Sequence, residues 1–160
     1  MAKLYALVTL YNPGKAEADN CRMLAKQVDT VILCDNSKKT NELEFCDEEN
    51  VIYTTQKKNL GLCGAFNAAL KEQDIMWEDD DIIVFFDQDS RIGDGYIKAL
   101  HDEYCKIEKI IPNLGCLGPI FYNTSNGKVE SPRQRKAITA DTYSVCNTIT
   151  SSLMTRYKNL

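Results

Sequence analysis

Apolar positions along the chain fall into short blocks that switch between two periods. Leu4 to Leu10 is an almost unbroken apolar run stopped by Tyr11-Asn12-Pro13-Gly14, the pattern of a strand buried on both faces and ended by a turn. From Lys15 to Val28, Cys21, Leu24, Ala25 and Val28 recur at helical spacing among charged residues, which predicts an amphipathic helix lying on a sheet. Thr30 to Cys34 and Val51 to Thr55 are β-branched runs and read as two further strands, separated by the acidic stretch Glu42 to Glu49. Leu62 to Gln73 reads as a helix with Ala65, Phe66, Ala69 and Leu70 on one side, and Gly61 and Gly64 at its opening allow a close backbone approach. Ile82 to Phe86 is the most apolar stretch and runs straight into Asp87-Gln88-Asp89-Ser90, so those carboxylates are expected at the C-terminal end of a buried strand. Asp94 is placed to cap a helix carrying Ile97, Leu100, Tyr104, Ile107 and Ile111, which Pro112 ends. Gly115 to Tyr122 predicts one more strand, leading into a polar loop from Asn123 to Lys136.

Strands alternating with helices through short connections predict an α/β fold, a Rossmann-like, mainly parallel sheet flanked by helices. In such sheets ligands bind outside the carboxyl ends of the strands, where Asn12, Asp35 and Asp87 fall. The 160 residues, without an internal repeat or linker, fit a single domain over 1–160. A net charge of −4 lacks the basic excess that drives binding to polyanions, so nucleic acid is not an expected partner. Seven scattered cysteines with no CxxC pair read as reduced thiols of a cytoplasmic protein. No apolar run reaches the roughly 18 residues needed to cross a bilayer. The basic residues Lys57, Lys58, Lys128, Arg133, Arg135 and Lys136, and the acidic run Glu78 to Asp81, read as solvated loops, and His101 as a helix residue without a chemical role.

The chemistry concentrates in Asp87-Gln88-Asp89. Two aspartates one residue apart after a buried strand can face one pocket, where one carboxylate holds a hard cation and the other accepts from ribose hydroxyls. An Asp-x-Asp triplet alone is common and equally consistent with turn capping. Here the apolar strand before it would fix where both carboxylates point, which favours functional use. A rival is the Asp-x-Asp nucleophile of haloacid-dehalogenase-type phosphatases. That motif wants Thr or Val two residues after its second Asp, where this chain has Arg91, and it normally lies on the first strand.

Four segments, in order, carry a more specific resemblance: Val8-Thr9-Leu10-Tyr11-Asn12-Pro13, Cys34-Asp35-Asn36-Ser37, Asn59-Leu60-Gly61-Leu62-Cys63-Gly64-Ala65-Phe66-Asn67 and Phe86-Asp87-Gln88-Asp89-Ser90. Together they resemble a family 2 glycosyltransferase of the GT-A type, and the Asp-Gln-Asp-Ser form is most similar to its rhamnosyltransferase branch. Gly118-Pro119 and Thr148-Ile149-Thr150-Ser151-Ser152 are similar to later segments of that branch, with Ser152 standing where a Thr-Ser-Gly glycine is usual.

The resemblance implies transfer of a rhamnose-like sugar, with inversion, from a nucleoside-diphosphate donor such as dTDP-rhamnose or a UDP-sugar to a surface-polysaccharide or lipid-linked acceptor. Mg²⁺ or Mn²⁺ would be the cofactor, held by Asp89 and Asp87. Thr9, Tyr11 and Asn12 would line the nucleobase and ribose pocket. Asp35 would accept from an imide N–H, and Asn59, Gly61, Asn67 and Asp87 would complete the nucleotide site. Peripheral association with the inner face of a membrane would suit a lipid-linked acceptor. In the family the general base comes after the Thr-Ser-Gly segment, so it is expected beyond Leu160. This predicts either a donor-binding piece of a longer enzyme, C-terminally incomplete, or a donor-binding scaffold subunit.

Overall fold

The computed structural model describes residues 2–41, 48–72, 75–132 and 135–160. Its elements run β1 (Leu4–Leu10), α1 (Lys15–Ala25), β2 (Thr30–Asp35), β3 (Val51–Thr55), α2 (Gly61–Glu72), β4 (Ile82–Asp87), α3 (Tyr96–Ile110), then short strands β5 (Phe121–Asn123), β6 (Lys128–Glu130), β7 (Arg135–Ala137) and β8 (Tyr143–Val145), and finally β9 (Leu153–Arg156). The main sheet has the order β3-β2-β1-β4-β9. Its first four strands are parallel, and β9 closes the edge antiparallel to β4. The mixed α/β architecture with a mainly parallel central sheet is the one expected.

Alternation along each strand sends side chains to two apolar layers. Ala6, Val8, Leu10, Val31, Leu33, Val84 and Phe86 meet Leu24 of α1 and Ile97 and Tyr104 of α3 on one face. Tyr5, Leu7, Ile32, Ile83 and Phe85 meet Ala65, Phe66 and Ala69 of α2 on the other. Because both faces are covered, β1 and β4 read as continuous apolar runs rather than alternating ones.

The strand order runs one way from β1 through β2 to β3 and the other way through β4. The reversal opens a crevice between the C-terminal ends of β1 and β4. Thr9 and Asp87 are register partners across that line.

Several boundaries differ from the sequence reading. The first helix stops at Ala25 rather than Val28. The Asn50 amide donates to the Ala25 and Val28 carbonyls, at 2.8 and 3.2 Å, and so satisfies the C-terminal end. Asp94 does not cap α3: the cap residue is Gly95, in left-handed backbone at φ 73°. Gln27 instead clasps that end, accepting from Ile97 N–H at 3.3 Å and donating to the Gly93 carbonyl at 3.1 Å.

Gly115 to Tyr122 is not a sheet strand. Leu117 meets the main sheet through a single bridge to Met154, and Phe121 and Tyr122 pair instead with β6 in a separate two-stranded ladder; between them Pro119 has no N–H for a continuous ladder. The expected loop from Asn123 to Lys136 contains β6 and the start of β7, and its Arg133 lies outside the described residues, as does Gln73 of the second helix. Asp81 corrects the solvated reading of the acidic run. It is 2% exposed and accepts from Lys3 N–H at 2.8 Å and Glu78 N–H at 3.0 Å, which seats the start of β4.

Candidate functional site

At the end of β4 the chain turns at once, with Ser90 N–H donating to the Asp87 carbonyl at 3.1 Å. The residue between the two aspartates is the best anchored part of this turn. Gln88 Oε1 accepts from Tyr11 N–H at 2.7 Å and its Nε2 donates to the Tyr11 carbonyl at 3.3 Å. The side-chain amide thus pairs with the end of β1 as a neighbouring strand would. From α1, Asn20 Nδ2 donates to the Gln88 carbonyl at 3.0 Å, and Ser90 Oγ lies 2.5 Å from Ser151 Oγ.

Asp87 and Asp89 stand out against this. Among the described residues no hydrogen-bond donor or cation engages either carboxylate. Asp87 is half-buried at the strand end and Asp89 is exposed on the turn. Burial first, and the neighbouring Asp89 carboxylate second, push the Asp87 carboxyl above its ordinary range. Beside it Thr9 Oγ1 is buried without a hydrogen-bond partner, at the register position opposite Asp87 and on the α2 face of the sheet by strand alternation. An orphaned hydroxyl and two uncompensated carboxylates at one strand switch are groups that a polar ligand and a cation would satisfy. Among the described residues no group of three or more His, Cys, Asp or Glu could hold a metal. A cation here would therefore take further ligands from a bound diphosphate or water.

The other candidates lie at the ends of β1 and β2, before α2 and on it. Tyr11 presents its ring to solvent, 51% exposed, while its backbone is held by Gln88. Asn12 adopts left-handed backbone, φ 46°, with its N–H on Ser37 Oγ at 2.7 Å. Asp35 ends β2 and is 3% exposed. Ser37 N–H and Asn41 Nδ2 each donate to it at 2.8 Å, and the Tyr53 hydroxyl also donates to it. Burial alone would raise this carboxyl, but the bonds from Ser37, Tyr53 and Asn41 outweigh it and hold the group below the usual range. Both oxygens are engaged, so direct acceptance from a nucleobase would require one of those donors to give way.

Asn59 serves the start of α2, its Oδ1 accepting from Gly61 N–H at 2.8 Å. Gly61 has φ 71° and open space where a Cβ would be, so it is needed for its backbone angle. Gly64 is the closer approach, since an added Cβ would lie 2.7 Å from Leu60 Cβ. Asn67 is exposed on α2, away from the buried Ala65, Phe66 and Ala69, and no hydrogen bond among the described residues links it to the strand ends.

Sequence reasoning missed the groups that hold the site together. Asn36 is one, joining β2 to α2 by accepting from Leu60 N–H at 2.8 Å and donating to the Gly61 carbonyl at 3.1 Å. Gln88, Asn20, Tyr53 and Ser151 are others; Asn36, Gln88 and Ser151 lie inside the motif segments, whereas Asn20 and Tyr53 do not. A cavity of about 540 Å³ between α3, residues 113–120 and the β7–β8 hairpin is lined by none of the candidates.

None of the described cysteines is in a disulfide, and no described helix is long and apolar enough to cross a membrane. No curated protein matches the chain. A family model described as glycosyl transferase family 2 matches residues 7–157, from the middle of β1 past the end of β9, so the match takes in the carboxylate turn and the strand ends around it. The phosphatase alternative falls with that match: the chain belongs to glycosyl transferase family 2, its sheet is consistent with the GT-A fold, and it is a glycosyltransferase.

Proposed function

We propose that the chain binds a nucleoside-diphosphate sugar with Mg²⁺ or Mn²⁺ in the crevice between the ends of β1 and β4. The observation that carries this reading is the pairing of two carboxylates without partners, Asp87 and Asp89, with a turn whose intervening Gln88 is tied on three atoms. A protein leaves like charges uncompensated beside a half-buried strand end at a cost in stability, and a cation site is a physical reason to keep them there.

In this reading Asp89, the exposed member, is the metal ligand, and Asp87 accepts from ribose or reaches the metal through water. When bound, the cation supplies Lewis-acid neutralisation of the diphosphate as it leaves. The protein's own part is orientation. Thr9 Oγ1 offers an unspent hydroxyl to the nucleotide, the Tyr11 ring a face for the base, and Asn12 and the Asn59–Gly61 turn the opposite rim. Asp35 acts as a buried post that fixes Ser37 and, through it, Asn12, rather than as a free acceptor. The Asp-Gln-Asp-Ser form supports a deoxyhexose donor such as dTDP-rhamnose, with a UDP-sugar as the alternative, inverting transfer and a polysaccharide or lipid-linked acceptor.

Titration calorimetry with dTDP, UDP and GDP, each with and without Mn²⁺, tests the reading. Metal-dependent binding of at least one of them is expected, lost in Asp89→Asn. Binding of none, or binding indifferent to Mn²⁺, would sink it.

A further inference from the structure

The segment just before β9 closes a second turn, with Leu153 N–H donating to the Thr150 carbonyl at 3.0 Å. β4 and β9 are antiparallel, with Phe85 opposite Leu153, so this turn stands beside the carboxylate turn at the same end of the sheet. Two bonds join them: Ser152 N–H donates to the Phe85 carbonyl at 2.6 Å, and the Ser151 and Ser90 hydroxyls are 2.5 Å apart.

The local backbone makes the arrangement unusual. Three non-glycine residues among those described have positive φ, namely Asn12, Lys57 and Ser152. Asn12 and Lys57 are exposed, whereas Ser152 is 6% exposed at φ 64°. A left-handed serine is strained and persists only where its surroundings over-determine it. Here they do, because its own N–H is taken by the Phe85 carbonyl of β4 and the N–H of Leu153 after it by the Thr150 carbonyl. Ser151, 8% exposed, is thereby presented to Ser90. Behind it Thr148 packs on Gly118, where an added Cβ would lie 2.2 Å from Thr148 Oγ1.

We infer that Ser151 is a positioning residue for Asp89. The exposed carboxylate lies between two anchored neighbours, Gln88 held by β1 and α1, and Ser90 held by Ser151 from the β9 side. Removing the Ser151 hydroxyl leaves Ser90 fixed by one backbone bond alone, so Asp89 samples orientations that do not meet a cation. The inference rests on the metal-binding reading for its consequence, but the restraint itself is a property of the free protein.

Both levels are testable with Ser151→Ala, Ser90→Ala and the double variant, with Ser90→Thr as the conservative control. In the metal-free protein, amide exchange at Ser90 is expected to accelerate about tenfold in Ser151→Ala while Val84 and Phe86 in β4 keep their protection. Mn²⁺-dependent nucleoside-diphosphate affinity is expected to fall about tenfold in each single alanine variant, no further in the double variant, and to survive in Ser90→Thr. Unchanged Ser90 exchange overturns the inference whether or not the wild type binds nucleotide, and so does a double variant whose affinity loss is the product of the singles. A wild type without metal-dependent binding defeats the functional reading instead, and the exchange result still decides whether Ser151 holds the turn.

Discussion

Replacing Asp87 with asparagine should stabilise the ligand-free protein and sharply weaken its response to ligand. Burial and the Asp89 charge raise the Asp87 carboxyl above its ordinary value, so the folded chain binds that proton more tightly than the unfolded chain. A raised carboxylate contributes stability below its unfolded pKa and loses it as pH rises through the folded pKa. At neutral pH the ionised pair therefore costs stability. With one member half-buried and the other exposed, the repulsion is about 1 kcal/mol at an effective dielectric between protein surface and water. Asp87→Asn removes it, and about 1 kcal/mol corresponds to a rise in Tm of roughly 2–4 °C for a domain of this size. The gain should shrink as pH falls and vanish below about pH 4, where the carboxyl is protonated in both states. Mn²⁺ with nucleoside diphosphate at about one hundred times Kd should stabilise the wild type by about 2.7 kcal/mol, roughly 5–10 °C, and the variant far less. Differential scanning fluorimetry across pH, with and without ligand, reads all of this. An Asp87→Asn protein that melts lower than wild type at pH 7 would refute the reasoning, because it would mean the carboxylate has a stabilising partner.

Asp35 should behave in the opposite sense. Its carboxyl is held below the usual range by Ser37, Tyr53 and Asn41 against burial, so it contributes stability above its unfolded pKa that is lost as pH falls through the folded value. Asp35→Asn is expected to cost about 1–3 kcal/mol at pH 7 in denaturant melts, with the difference from wild type closing in acid. Arg156→Ala, which removes a pair of bonds to Glu108 at 2.5 and 2.6 Å and one to the Asp80 carbonyl at 2.9 Å, should cost about 2 kcal/mol and loosen β9 in hydrogen exchange. Gly61→Ala should cost about 1 kcal/mol through its φ of 71° alone, since its Cβ would meet nothing. Gly118→Ala should cost about 1–3 kcal/mol through the clash with Thr148, and Thr148→Ser or Thr148→Ala should recover part of that loss.

The parallel core was legible because strands buried on both faces leave an unambiguous signature. Leu4 to Leu10 and Ile82 to Phe86 carry almost no polar residue, and the polar residues directly after each run must lie at the carboxyl end of its strand. Strand direction alone thus places Asn12, Asp35 and Asp87 on one rim. β9 gave no such signal: it is four residues long, and its pattern becomes a strand only once β4 offers an edge. Gly115 to Tyr122 erred the other way, apolar enough for one long strand but interrupted by Pro119, so that Leu117 makes a single bridge to Met154 and Phe121 and Tyr122 pair with β6.

What the sequence determined by itself is the inventory and order of chemistry: two carboxylates after a buried strand, glycines at the start of α2, polar residues at successive strand ends. These arise from local rules, since burial period, turn chemistry and strand direction act within a few residues of one another. Which of those groups are free was decided only by tertiary structure. Asp35 and Asp87 look alike in sequence, each an aspartate ending an apolar strand. Asp35 is met by donors from β3 and from its own loop, while Asp87 has Asp89 beside it and no donor among the described residues. The long-range donor to Asp35 is Tyr53, from the neighbouring strand 18 residues along the chain, while Asn20 and Ser151 hold Gln88 and Ser90 and leave Asp87 untouched. Only the folded sheet brings the Tyr53 hydroxyl within hydrogen-bond reach, and that reach separates a buried structural carboxylate from one left open for a ligand.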